Sequence, residues 1–173
     1  MPIDKLSIED QNLWTIGMLV VTMQTTERLI NMCLRFAFPE GGVNTIETLT
    51  KAEESYRKAT LGRLVELMKK RVDLDEDFDQ VLAAFVLDRN TLIHDLNRAG
   101  GFDRSSPESM QKISSFLSNL VENMNLVTRV FVSLLYEWSK ETGVHTDDFP
   151  DVTPVIGDFE GIARRVFFAK KDG

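Results

Sequence analysis

Between Ser105-Ser106-Pro107 and Gly143 the chain runs without a glycine or a further proline, and Met110, Ile113, Leu117, Leu120, Met124, Val127, Phe131, Leu134 and Trp138 recur along it at spacings of three and four. That period lines all of these side chains along one stripe of a helix. Serine followed by proline is a strong helix start, and glycine is a strong stop. A helix this long, with so continuous an apolar stripe, has to lay it against other helices of the same molecule, with room for a share in a dimer interface.

The first such helix runs from Ile8 to Phe38 and ends at Pro39, Glu40, Gly41 and Gly42. Ser7 and Asp10 form a variant capping box at its start. Its stripe passes through Leu13, Ile16, Val20, Met23, Glu27, Ile30, Leu34 and Ala37, which sets a carboxylate on an otherwise apolar face. Glu27 is either a polar residue tolerated at the edge of the contact or the partner of a buried cation elsewhere, with Arg89 as the candidate. Cys33 lies in the same apolar run and reads as core filler, with a reactive thiol as the alternative. As the single cysteine it forms no internal disulfide. Two histidines and one cysteine, widely separated, give no familiar zinc spacing, so no metal and no cofactor are expected.

Thr50 with Glu53 suits the cap of a polar helix, and Thr60 suits the start of another over Leu61 to Val72, where Gly62 predicts a bend or break. Lys69, Lys70 and Arg71 close that helix, either complementing its dipole or offering a patch to phosphate. The next helix spans Asp75 to Ala99, with acids at Asp75, Glu76 and Asp77 and a stop at Gly100-Gly101. At about 100° per residue, Phe78, Leu82, Phe85, Leu92, Ile93 and Leu96 fall within about 60° of Arg89. The guanidinium therefore points along the apolar stripe and needs a carboxylate or a polar cleft. Asn90, Asn97 and His94 form a polar edge beside the stripe. Glu27 and Glu122 are the candidate carboxylates for a purely structural Arg89, with His94 bonded to a carbonyl at the helix end.

Written R-N-x-x-x-H, the run Arg89, Asn90, His94 resembles the signature of the HEPN superfamily (higher eukaryotes and prokaryotes nucleotide-binding domains). Those are all-helical domains, many of them metal-independent endoribonucleases with an R-x(4–6)-H motif and a polar residue directly after the arginine. Thr60, Leu61 and Gly62 ahead of the motif helix are similar to a segment of some relatives. The resemblance implies a homodimer in which two copies of Arg89 and His94 surround one cleft. It also implies RNA cleavage to a 2′,3′-cyclic phosphate without metal. Arg89 would hold the scissile phosphate and stabilise its developing charge, His94 would transfer protons, and Asn90 would orient phosphate or imidazole. Arg98, before the loop from Gly100 to Ser106, and Arg104, within it, are candidates to reach RNA, against the alternative that they are solvated. A role as a toxin or defence effector is what the resemblance would imply for such a nuclease. The alternative is a non-catalytic HEPN-like dimer that binds a nucleotide or a protein partner in an antitoxin, immunity or scaffold role.

At 173 residues the chain reads as one all-α domain, an antiparallel bundle of about four to five helices with long first and last core helices. Residues 1–143 form the bundle, and 144–173 form a loop and a short docking segment of the same domain. Within the latter, Ile162, Val166 and Phe167 dock on the bundle and His145 is a surface histidine. A net charge of -7 argues against coating nucleic acid by bulk electrostatics, while leaving room for a small cationic cleft. Asp4, Glu9 and Asp10 interrupt any leader, and no apolar stretch is long enough for a bilayer, so the expected compartment is the cytoplasm. Neither membrane nor DNA is an expected partner.

Overall fold

The computed structural model describes residues 6–39, 45–56, 59–99, 103, 105–143 and 158–170, without the side chains of 98 and 99. The helices are α1 (Ile8–Phe36), α2 (Ile46–Tyr56), α3 (Leu61–Lys69), α4 (Glu76–His94), α5 (Pro107–Thr142) and the single turn α6 (Ala163–Val166). A 3-10 turn covers Leu96–Ala99, and two short strands, β1 (Val72–Leu74) and β2 (Phe167–Ala169), pair antiparallel. The fold is an all-α bundle with this small sheet at one end. No helix among the described residues is long and apolar enough to cross a membrane.

Helix ends follow local chemistry. The Ser7 hydroxyl accepts from the Asp10 amide and donates to its carboxylate, a capping box at the start of α1. Ser106 caps α5 with Pro107 in its first turn, and Gly143 ends it at φ 72°, a left-handed conformation that glycine adopts without strain. Helix α2 begins four residues before the expected Thr50, because Thr45 and Thr48 bond to each other's amides and form the cap there. No break occurs at Gly62. It lies in the first turn of α3, which the Thr60 hydroxyl caps through the Arg63 amide, and its one close neighbour is Val86 on α4.

The expected antiparallel packing is made by α4, not by the two long helices. Asn12 bonds the Met110 carbonyl, Thr26 the Thr128 hydroxyl and Cys33 the Phe131 carbonyl, so α1 and α5 ascend together. Helix α4 runs against both, with Phe78 near Phe131 and Arg89 near Glu27. The shared core is filled by Leu19, Met23, Ile30 and Leu34 of α1, Leu82 and Phe85 of α4, and Ile113, Leu117, Leu120 and Phe131 of α5, with Leu61 and Met68 from α3. On α1 the buried set is displaced from the expected stripe: Asn12 and Thr26 are buried and Leu13 is exposed. Asn12, Leu19, Thr26 and Cys33 keep the seven-residue spacing one position ahead of Leu13, Val20 and Glu27, and one residue is about 100° of helix, which turns Leu13 outward.

Helix α3 stops at Lys69, short of the expected Val72, which instead opens the strand Val72–Leu74, and β2 is the reason. Val72, Asp73 and Leu74 face Ala169, Phe168 and Phe167 in register, and the Lys170 ammonium reaches the Asp73 carboxylate at 2.7 Å. Phe167 enters a ring cluster with Phe38, Phe78 and Phe131 at centroid separations of 5.3, 6.1 and 5.8 Å. Ile162 and Val166 pack on the core beside it. Arg71 joins this end too. It donates to the Leu34 and Phe38 carbonyls and to the Tyr56 hydroxyl, so it closes the end of α1 and is not a patch for phosphate. Lys69 pairs with Asp79. The expected loop with His145 lies outside the described residues, as does Arg104.

Candidate functional site

Helix α4 starts at the Asp75 cap, where three acids occupy its positive end, and it stops at His94, five residues before the expected Ala99. Asp95 leaves helical geometry at φ -155°, and the chain tightens into the 3-10 turn. Two expectations fall with that early stop. Asn97 sits on the turn and no longer extends the polar edge, and Ile93, in a last turn with little above it, is 41% exposed. Phe78, Leu82, Phe85 and Leu92 do face the core.

Because Arg89 shares that stripe, its guanidinium enters the seam between α4 and α1. There Nε donates to Glu27 Oε1 at 2.8 Å, and the two side chains are only 22% and 25% exposed. Nη1 donates to Asn90 Oδ1 at 3.1 Å. Glu27 thus fixes the root of the guanidinium, and Asn90 fixes one arm. The outer Nη1 and Nη2 hydrogens keep the planar fork that matches a phosphate. Glu122 is not involved; it is exposed and lines a separate groove between α1 and α5.

Arg89, Asn90, Thr91, His94 and Asp95 line one open groove of about 570 Å³, closed on the other side by Thr60 and Gly62 at the start of α3 and at the rim by Leu87. His94 is exposed, and among the described residues none hydrogen-bonds its ring, so the bond to a helix-end carbonyl that the purely structural alternative called for is not formed. Five residues of helix separate Arg89 and His94 by about 7.5 Å along the axis. Both line the same groove from the α4 side, opposite Thr60 and Gly62. Thr60 and Gly62 are where they are because the start of α3 packs on α4, with Val86 the close neighbour of Gly62. Asp88, beside the motif, is partly buried, and that burial raises its carboxyl above the ordinary aspartate range.

Arg98 belongs to the 3-10 turn just past the groove, and its side chain is not described. Cys33 is fully buried with its thiol directed at the Phe131 carbonyl, and burial pushes its pKa far up, which suits core filling. Among the described residues no three histidine, cysteine, aspartate or glutamate side chains gather as a metal site would require. Sequence reasoning missed the cavity on the other face of the ion pair, lined by Glu27 together with Gln24, Arg28, Asn31 and Arg35 of α1. The signal was present: 24, 28, 31 and 35 follow helical spacing, and all but Glu27 carry hydrogen-bond donors.

No protein-family model matches this sequence, and no curated protein or solved structure matches it either. The functional reading therefore rests on the groove.

Proposed function

We propose that this protein is an endoribonuclease of the HEPN type, acting without metal as a homodimer, in keeping with a toxin or defence effector. The observation that supports the reading is the gathering of Arg89, Asn90 and His94 along one open groove, with the arginine already oriented by Glu27 and Asn90. In this mechanism the fork of Arg89 and the Asn90 amide grip the scissile phosphate and take up the charge that develops as the reaction proceeds. The ribose 2′-oxygen forms the new bond to phosphorus, and the bond to the 5′-oxygen breaks. A histidine accepts the 2′-hydroxyl proton and another returns one to the leaving oxygen, since imidazole ordinarily titrates near neutrality. The products are a 2′,3′-cyclic phosphate and a 5′-hydroxyl. One chain brings one motif histidine, so a second copy supplies the other.

One observation favours a different reading. Glu27 already neutralises Arg89, and the chain is acidic at -7, which suits a non-catalytic dimer that binds a nucleotide or a protein partner. Purified wild type and His94→Ala, matched in helicity and elution volume, separate the two when mixed with end-labelled RNA in EDTA. Cleavage by the wild type alone, ending in cyclic phosphate, is the expected result. Cleavage that survives the substitution removes His94 from the mechanism, and a wild type inert on a broad RNA panel leaves the binding role.

A further inference from the structure

We propose that the cavity on the Glu27 side of the ion pair is a subsite for the nucleotide adjoining the scissile phosphate, an inference that rests on the RNA-cleavage reading. The two cavities adjoin at two places. Glu27 lines one and its partner Arg89 the other, and the consecutive residues Ala59 and Thr60 also divide between them. A strand leaving Arg89 along α1 therefore passes directly into the second space. That space is about 490 Å³, within the range of a site for a small ligand.

Its charges are mostly spent. Arg35 pairs with Glu53 at 2.6 Å and Glu27 pairs with Arg89 at 2.8 Å, and both acids are thereby neutralised. Arg28 is exposed on the cavity wall, and no ion pair among the described residues engages it. The cavity thus presents one unspent guanidinium in an acidic molecule, suited to a single phosphate. The remaining lining suits a base. Met32, Ala59 and Leu64 are apolar, and Gln24 offers a free amide. Asn31 commits Nδ2 to the Tyr56 carbonyl, which turns its Oδ1 into a fixed acceptor. Apolar contact with amide groups at the edge is how unstacked bases of single-stranded RNA are held. A duplex would not place a base there, so the substrate is single-stranded at this step.

The test is fluorescence anisotropy with a dye-labelled trinucleotide carrying 2′-O-methyl sugars, which blocks cleavage and makes binding the readout. Arg28→Glu is expected to lower affinity about tenfold or more, the scale of one charge-assisted contact. Lys112→Glu, an equal charge change on exposed α5 away from both cavities, is expected to change it less than about twofold. Gln24→Ala is expected to weaken the intact trinucleotide about threefold and leave an abasic analogue unchanged. Equal effects of the two charge reversals, or none from Arg28→Glu, overturn the subsite. If His94-dependent cleavage is seen while Arg28→Glu binds normally, the subsite falls and the nuclease stands. Selective loss in Arg28→Glu without any cleavage by the wild type leaves a nucleotide-binding cavity and overturns both the nuclease and the subsite's place beside a scissile phosphate.

Discussion

Glu27 and Arg89 sit between the limits of a surface ion pair and a buried one, and substitutions at Glu27 distinguish packing from charge. Glu27→Ala strands a guanidinium that is mostly out of water and is expected to cost about 1–2 kcal/mol, below the figure for a fully buried pair. Glu27→Gln keeps an oxygen within reach of Nε and should lose less than about 1 kcal/mol. Urea denaturation of both variants checks this, and an alanine variant as stable as the wild type would show that the pair contributes nothing to folding. Asp88, one position before Arg89, makes a prediction of the opposite sign. Burial raises its folded-state pKa, so folding favours the protonated carboxyl; that contribution is complete below the ordinary value of 3.8 and is lost as pH rises through the folded value. Asp88→Asn is therefore expected to stabilise the protein slightly at neutral pH and to give no gain below pH 3.8. Paired thermal melts at the two pH values measure it, and a gain that is largest in acid contradicts the assignment.

At the scale of elements, the described tail is held by one ring more than by its strand. Two three-residue strands give few ladder bonds, whereas Phe167 touches three other aromatic rings contributed by the end of α1, α4 and α5. Phe167→Ala is expected to cost about 2–3 kcal/mol, less than the full value for a completely buried phenylalanine, and to expose 158–170 to proteases before the bundle unfolds. A denaturation midpoint unchanged from the wild type would mean that the tail rides on the bundle without supporting it. The ends of the long helices were legible because their signals are local. Ser7 and Asp10, Ser106 and Pro107, and Gly143 act on amides and carbonyls within a turn of themselves. Val72–Leu74 was not legible, because a strand of three residues is defined by its partner, and the partner lies nearly a hundred residues later. Arg71 misled for the same reason. It was read against the dipole of its own helix, while its hydrogen bonds go to the end of α1.

For the molecule as a whole, an acidic chain places Gln24, Arg28, Arg89, Asn90 and His94 where α1, α3 and α4 converge, so a net charge of -7 does not describe the groove. Periodicity determined that the chain is helical, which helices are long, and that Arg89 shares a face with Phe85 and Leu92, because each of these follows from covalent spacing along one helix. It also raised Glu27 as a carboxylate in need of a cation, though it could not choose between that and an edge position, nor between Glu27 and Glu122. Tertiary structure decided those choices. Placing α1 parallel to α5 and antiparallel to α4 brings residue 27 against residue 89, and it leaves residue 122 on a different groove. It likewise decided that Thr60 and Gly62 face His94, and that Gln24, Arg28 and Asn31 enclose a second cavity beside the first. Local propensities act over a few residues, whereas a site is built where distant segments meet, and that meeting is fixed only when the core chooses which helix faces pack.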